Sequence, residues 1–293
     1  AAQGRRHIVS TAFEHHAVLH TLNRLRARGF DVTLLPVHED GVVTAADIAA
    51  ALRPDTCLVS VMYANNEIGT IQPADEIGAL CRARGVLFHT DAVQAAGHLP
   101  IDLAAQPIDL LSLSAHKFHG PKGVGLLYAR RGVQLTPLID GGAQERGLRA
   151  GTENVPGIAA MAAAFEESCT HMTESACRVS ALRDRLTAGL SQIPGALLNG
   201  SAAHRLPGIM NFCFEGIDGE TLLLLLDQAG ICVSTGSACA AGSVDPSHVL
   251  LALGRTRAQA HSSIRLSLSD ETTDAEVDYL LETVPACIAR LRG

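Results

Sequence analysis

Lysine is almost missing: of the 23 cationic residues in this 293-residue chain, only Lys117 and Lys122 are not arginine. Any chemistry that needs a lysine amine is therefore confined to one short segment. No basic run exceeds the pairs Arg5-Arg6 and Arg130-Arg131, and the net charge is -7. A surface that tracks a phosphate backbone is disfavoured, and nucleic acid is not an expected partner. The apolar runs, Leu222 to Leu226 among the longest, fall far short of the roughly 20 residues that cross a bilayer, and no signal-peptide pattern opens the chain. A membrane partner is not expected either. The eight cysteines form no C-x-x-C pair, and a chain of this length folds without disulfide staples, so a reducing cytoplasm is the expected compartment. Internal repeats, low-complexity tracts and a Gly-x-x-x-x-Gly-Lys-Ser/Thr loop are all lacking, which disfavours solenoids, tethered domains and nucleotide hydrolysis. The chain starts at Ala1 rather than Met, as expected if sequence upstream has been removed.

What is present is apolar: 47% of the residues, enough at this length for a substantial core and two domains. The first half alternates β-branched runs with amphipathic stretches. Strands are expected over 7–11, 31–37, 57–63, 86–90, 110–114 and 124–129, and helices over 16–28, 44–52 and 74–84. Thr44 with Asp47 resembles a capping box, Pro73 enters the third helix, and Gly29 and Gly85 stop the first and third. Such alternation gives an α/β domain, a mainly parallel sheet flanked by helices. The Gly-Pro-Lys-Gly turn at 120–123 is short enough to make the last strand pair antiparallel. From Val155 a long helical stretch runs to about residue 191, followed by a strand over 208–214, a helix over 220–228 and a strand over 264–268. The expected division is a larger domain over 1–165 and a smaller C-terminal α+β domain over 166–293, with a ligand cleft between them.

Four polar clusters directly follow expected strands: Glu14-His15-His16, Asn65-Asn66-Glu67, Asp91 to Gln94, and Ser114 to Lys117. In an open parallel sheet the C-terminal strand ends border the ligand crevice, so four strands would aim polar groups at one place. Helix-capping loops explain any one cluster as well, the four together less well. Lys117 follows an apolar strand, the semi-buried setting in which a lysine amine is freed to attack an aldehyde; Lys122 reads as a solvated loop residue. Asp91, one crossover unit earlier, would suit the protonated ring nitrogen of pyridoxal phosphate, or a helix N-cap. His16 and His20 are spaced i, i+4, but no carboxylate or cysteine completes a zinc set, so no metal is expected. His15, just ahead of the helix, is better placed for flat contact with a planar cofactor. Cys239 lies among small residues at 234–243 that neither pack nor form a stable helix. An accessible thiol on a mobile loop is expected there, the candidate nucleophile, while the other seven cysteines read as buried hydrophobes.

With these residues in place the chain resembles the cysteine desulfurases of the iron-sulfur-cluster and nitrogen-fixation type, pyridoxal-phosphate enzymes of the class V aminotransferase fold. The resemblance runs over about residues 7–292 and rests on seven motifs in the family's order. They are Glu14-His15-x-Ala17-Val18, Asn65-Asn66-Glu67-Ile68-Gly69, His89-Thr90-Asp91-Ala92-x-Gln94, Ser114-x-His116-Lys117-x-x-Gly120-Pro121-Lys122-Gly123, Glu145-Arg146-Gly147-x-Arg149-x-Gly151-Thr152, Ser234-x-Gly236-Ser237-Ala238-Cys239, and His261-Ser262-Ser263-Ile264-Arg265.

The resemblance implies the PLP-dependent transferase (aspartate aminotransferase-like) fold and a set of roles. Lys117 would hold pyridoxal 5'-phosphate, His15 stack on its ring, Asp91 pair with the ring nitrogen and Gln94 contact the ring hydroxyl. Asn66 would touch cofactor and substrate, Ser114 and His116 the phosphate, and Thr152 the phosphate of the other subunit's cofactor in a homodimer. Arg265 would take the substrate carboxylate, which its planar fork matches in two places. The implied reaction moves sulfur from L-cysteine to Cys239 as a persulfide, with Lys117 or His15 moving protons, releases L-alanine, and hands the sulfur to an iron-sulfur scaffold or sulfur-carrier protein. Family members carry roughly ninety further residues before the position of His7, including a helix N-terminus that holds the cofactor phosphate. The chain as given is therefore expected to bind cofactor weakly, or to receive that part from another polypeptide. A selenocysteine lyase, a class V aminotransferase, or a non-catalytic relative acting as a scaffold are the alternatives; an aminotransferase has no use for the Cys239 thiol.

Overall fold

A computed structural model describes residues 4–236 and 245–293. Strand β1, His7–Thr11, is buried along its whole length, as a strand covered on both faces must be. Around it lie β2 (Asp31–Leu35), β3 (Thr56–Ser60), β4 (Leu87–Asp91), β5 (Leu110–Ser114) and β6 (Gly125–Ala129), in the order β2-β1-β3-β4-β5-β6. The first five run parallel and β6 is antiparallel to β5, as the short 120–123 turn requires. The winding reverses between β1 and β3, and a crevice opens at the C-terminal strand ends at such a point. The strand expected to reach residue 63 ends at Ser60. Val61 and Tyr63 nevertheless still donate to the carbonyls of His89 and Asp91, at 3.1 and 2.8 Å.

Helices α1 (His16–Ala27), α2 (Ala45–Ala51) and α3 (Ala74–Ala83) connect these strands. Thr44 and Asp47 form the reciprocal capping box at the start of α2. Val9, Val59, Phe88 and Leu111 of the sheet pack with Ile48, Ile77 and Cys81 of the helices, each large side chain contributing about 1.5–3 kcal/mol on burial. That core fixes the strand ends from which the polar clusters project.

Helix α4, Val155–Leu190, is 36 residues long and starts where Asn154 accepts a bond from the Gly157 N–H. Its first half lays Met161 and Ala164 against Ala115 and Phe118. Its second half gives Leu182, Leu186 and Leu190 to a separate core with Met210, Phe212, Phe214, Ile264 and Leu266. Those last residues belong to a three-stranded antiparallel sheet, β7 (Ala196–Leu198), β8 (Ile209–Phe214) and β9 (Ser263–Ser267), in that order. Helices α5 (Gly219–Gln228) and α8 (Asp274–Arg292) cover it, while α6 (His248–Ala252) and α7 (Arg257–His261) lie between α5 and β9 in sequence. Helix α6 packs Val249 and Leu250 not on its own sheet but on Phe13, Met62 and Ile68 beside the larger one. No helix among the described residues is long and apolar enough to cross a membrane.

One expectation is corrected. Of the cysteines other than Cys239, only Cys81 and Cys213 are buried; Cys169, Cys177 and Cys232 are exposed. Cys169 and Cys177 lie on the solvent side of α4, which a helix of that length cannot avoid presenting, and Cys232 follows the turn at Gly230.

Candidate active site

The turn after β1 is organised by Glu14, which is fully buried. Its Oε1 accepts from the Thr11 hydroxyl at 2.7 Å and from the Met62 N–H at 2.9 Å, and its Oε2 has no partner. Burial pushes this carboxyl up to about 8. The turn sets His15 as the N-cap of α1, its Nδ1 accepting from the Ala17 N–H at 3.1 Å. That bond fixes Nδ1 as an acceptor and so orients the ring. Burial lowers the His15 pKa; Asp91 pulls it the other way, and the charges of His16, Lys117 and His20 push it further down. His15 thus sits electrostatically between Asp91 and Lys117.

After β3 the chain stays buried from residue 61 to 70. Asn65 holds this turn: its Oδ1 accepts from the N–H groups of Glu67 and Ile68 at 2.8 and 3.1 Å, and its Nδ2 donates to the Phe13 carbonyl at 3.1 Å. Asn66 is left to line the crevice.

Asp91 is the last residue of β4. Its Oδ1 accepts from the Val93 N–H at 3.0 Å, and no α-helix starts there, so the N-cap alternative is set aside. Burial raises its pKa against the Val93 bond and the charge of His15. Such a carboxyl stays ionised more readily when a cation reaches it. Two positions earlier on the same face of the strand, His89 bonds Ser60 Oγ through Nδ1 (2.8 Å) and Ser112 Oγ through Nε2 (3.0 Å). Burial lowers its pKa to about 4.

Beyond β5 a 3-10 turn, Ala115–Lys117, is anchored by the buried Ala115 and Phe118, and His98 Nε2 donates to the Lys117 carbonyl at 3.0 Å. Lys117 is half-buried and lines a cleft of about 870 Å³ together with Asn66, Gln94, His98 and Arg265. Arg265 comes from β9 of the smaller sheet and donates through Nη1 to the Asn66 carbonyl at 3.1 Å. Residues that follow three neighbouring strands and one residue of the second sheet therefore share this cleft, while His15 and Asp91 are not in its wall and connect to it through the charge that His15 feels from Lys117.

Not every sequence candidate joins them. Ser114 and His116 line a separate depression of about 470 Å³, with Lys122 and Gly123. The His116 pKa is lowered by burial and by Lys117 and Lys122. Thr152 is exposed between the 3-10 turn Gln144–Gly147 and α4, in neither wall. Cys239 lies outside the described residues. Sequence reasoning gave no role to His89, His98 or Ser247, although the position of His89 two residues before Asp91 on one strand face was a readable signal.

The chemical set fits pyridoxal phosphate. A lysine amine at the cleft would meet its aldehyde, the desolvated carboxyl of Asp91 would suit a protonated ring nitrogen, and a depression with Ser114, His116 and Lys122 would suit a phosphate dianion.

Comparison with known proteins agrees. Residues 1–280 match the family model for aminotransferase class-V. The chain is 54% identical over 289 residues, 98% of its length, to the cysteine desulfurase IscS of Clostridium botulinum, of which it covers 73%. Among solved structures it matches a NifS-like protein with a TM-score of 0.91 and 42% identity, over 99% of this chain and 76% of that one. It also matches SspA in complex with cysteine, with a TM-score of 0.77 and 35% identity, over 92% of this chain and 75% of that one.

Proposed function

This chain belongs to the class-V aminotransferase family and, within it, to the pyridoxal-phosphate-dependent cysteine desulfurases, and on that premise we propose that its cleft takes L-cysteine and that Cys239 accepts the sulfur. The observation that carries this reading is that Asn66, Gln94 and Lys117, which follow three adjacent strands, line one cleft with Arg265 from β9, while His15 feels the charges of both Asp91 and Lys117.

The reaction balances without an outside oxidant. The C–S bond of cysteine breaks and an S–S bond to Cys239 forms. The β-carbon becomes a methyl group, gaining the two electrons that the two sulfurs lose. One thiol proton ends on that carbon and the other on the terminal sulfur. The bound cofactor supplies an electron sink for charge at the substrate's α-carbon. Lys117 and Asp91 would hold it, Gln94 meet its ring hydroxyl, and Ser114 and His116, with Lys122 beside them, its phosphate. His15 carries its own part of the chemistry: with Nδ1 accepting from Ala17, the neutral ring keeps its proton on Nε2, and the lowered pKa makes that neutral form the ground state. Lys117 and His15 are therefore the two groups that move protons. Arg265 fixes the substrate carboxylate, and Asn66 lies between substrate and cofactor.

Thr152, exposed before α4, is assigned to the cofactor phosphate of a second subunit, so the working form is a homodimer. We place the domain boundary inside α4, residues 1–165 holding the cofactor and 166–293 carrying Cys239. An iron-sulfur scaffold or sulfur-carrier protein receives the sulfur, in a reducing cytoplasm that keeps the thiol available.

The test is absorption at about 400 nm, where a lysine-bound pyridoxal phosphate absorbs. It is read before and after added cofactor and then L-cysteine, with alanine and sulfide assayed under reductant. A band that shifts with cysteine and yields both products is the expected result, and Cys239→Ala should abolish sulfur transfer while leaving the band. A protein that stays colourless with added cofactor overturns the reading.

A further inference from the structure

Glu67 is 2% exposed and lies in none of the roles above. Its Oε2 accepts a 2.5 Å hydrogen bond from the Ser247 hydroxyl, a residue 180 positions later. Gly236, at φ +68°, approaches the same oxygen: a Cβ built on it would stand 3.3 Å from Glu67 Oε2 and 3.3 Å from Ser247 Cβ. Gly236 and Ser247 flank, in sequence, the stretch that contains Cys239. Both sides of that stretch therefore converge on one buried carboxylate.

The contacts continue around a ring. Upstream, Ser234 pairs with Arg265 through two backbone bonds, N to O at 3.2 Å and O from N at 2.6 Å. The Arg265 side chain reaches the Asn66 carbonyl, and the next residue is Glu67, whose own N–H is held by Asn65. Downstream, Ser247 caps α6, accepting from the Leu250 N–H at 3.3 Å, and His248 Nε2 donates to the Glu14 carbonyl at 2.9 Å. Helix α6 is seated by Val249 and Leu250 on Phe13, Met62 and Ile68. A buried carboxylate that accepts a hydroxyl bond loses considerably more than a surface contact when the donor is removed.

We infer that Glu67 is a positioning residue for sulfur transfer, holding Ser247 and standing against Gly236, the two described residues that flank Cys239 in sequence, beside Asn66 and Arg265. The inference rests on the desulfurase reading. It predicts a split, read in Ser247→Ala: that change removes the Glu67–Ser247 bond but keeps both the Asn66 carbonyl that Arg265 bonds and the Glu67 charge that Arg265 feels, so the substrate-binding groups stay in place. The loss then falls on persulfide formation at Cys239.

The experiment is single-turnover persulfide formation on Cys239 in the cofactor-loaded protein, trapped by alkylation and read by mass spectrometry. The KM for L-cysteine and the cysteine-induced absorbance change are measured alongside. Glu67→Ala and Ser247→Ala are each expected to slow persulfide formation about tenfold or more, and Ser247→Ala, which keeps the Glu67 carboxyl, should leave KM and the absorbance change within about twofold of wild type. The double variant should be no slower than either single, since both remove one bond, and Glu67→Gln, which keeps an acceptor oxygen, should recover most of the rate. Wild-type persulfide rates in both alanine variants, a multiplicative double variant, or a parallel loss of KM and absorbance response in Ser247→Ala would each overturn the inference. If Glu67→Ala does not fold, the half-buried Ser247→Ala decides by the same readouts. Wild-type protein that forms no Cys239 persulfide overturns the desulfurase reading and this inference with it, whereas normal wild-type formation with unaffected variants overturns this inference alone.

Discussion

Arg265 Nη1 and the Asn66 carbonyl oxygen lie 3.1 Å apart, across 199 residues of sequence. The bond fixes a guanidinium of the small sheet against the turn that follows β3, at the wall of the cleft. A guanidinium has five N–H donors, so a bond to the backbone does not exhaust it. The two sheets are thus joined at the cleft wall by this hydrogen bond.

Arg265→Ala is expected to raise the KM for L-cysteine about 10- to 100-fold, the equivalent of the roughly 1.5–3 kcal/mol of a charged hydrogen bond. Arg265→Lys keeps the charge but loses the fork and should recover only part of this. Steady-state kinetics at varied L-cysteine make the measurement, and an unchanged KM in Arg265→Ala would remove Arg265 from substrate binding.

Glu14 should make stability fall as pH rises. Its carboxyl titrates at about 8 in the fold, against an ordinary value of 4.5, so between those values the folded state binds more protons than the unfolded chain. Unfolding free energy then decreases with pH through that window, by at most about 1.4 kcal/mol per pH unit. Glu14→Gln mimics the protonated acid and removes this contribution. Urea denaturation of both proteins across the window should show the difference between them growing in favour of the variant towards pH 8; parallel curves would mean that Glu14 is not held neutral.

Much of this site was legible in sequence because an open parallel sheet converts order along the chain into position. His15, Asn66, Asp91 and Lys117 each follow an apolar strand, and the observed order β1-β3-β4-β5 sets those ends side by side. What could not be read are contacts that depend on how the second sheet docks, such as Ser247 with Glu67 and Arg265 with Asn66. The separation of Ser114 and His116 from the main cleft was not legible either: it turns on the local path of the chain from the end of β5 into the 3-10 turn Ala115–Lys117. Helix α8 is different: Thr273 and Glu276 form a capping box, a signal that was in the sequence and unused. Strand β7, of three residues, is too short to announce itself by alternation.

Gly69 joins the two parts of the molecule and tolerates no side chain. It sits at φ +75°, and a Cβ there would meet the Ile209 carbonyl oxygen at 2.8 Å and Arg205 Cγ at 3.2 Å. Backbone strain and a clash with backbone add, so Gly69→Ala should destabilise the fold by about 1–3 kcal/mol. Thermal unfolding checks this, and an unchanged Tm would show that β8 can shift away from the turn.

His89 should oppose Glu14. The imidazole spans β3 and β5 by accepting from or donating to Ser60 and Ser112, a pairing that suits the neutral ring, since each hydroxyl can take either role. Burial holds its pKa at about 4 in the fold against an ordinary 6.5. Between those values the unfolded chain binds the extra proton, so unfolding free energy rises with pH, and stability present above pH 6.5 is lost as pH falls towards 4. The slope is again at most about 1.4 kcal/mol per pH unit. His89→Gln keeps a donor and an acceptor but cannot take up the proton, so it should start less stable at neutral pH and lose less in acid. Because Asp91 stands two residues further along the same strand, the variant should also weaken cofactor binding if the Ser60–His89–Ser112 bridge sets where that carboxylate lies. Titrating the absorbance at about 400 nm with added pyridoxal phosphate separates the two effects: reduced acid sensitivity with unchanged affinity would make His89 a purely structural bridge, and reduced affinity at a pH where the variant is fully folded would make it a support for Asp91.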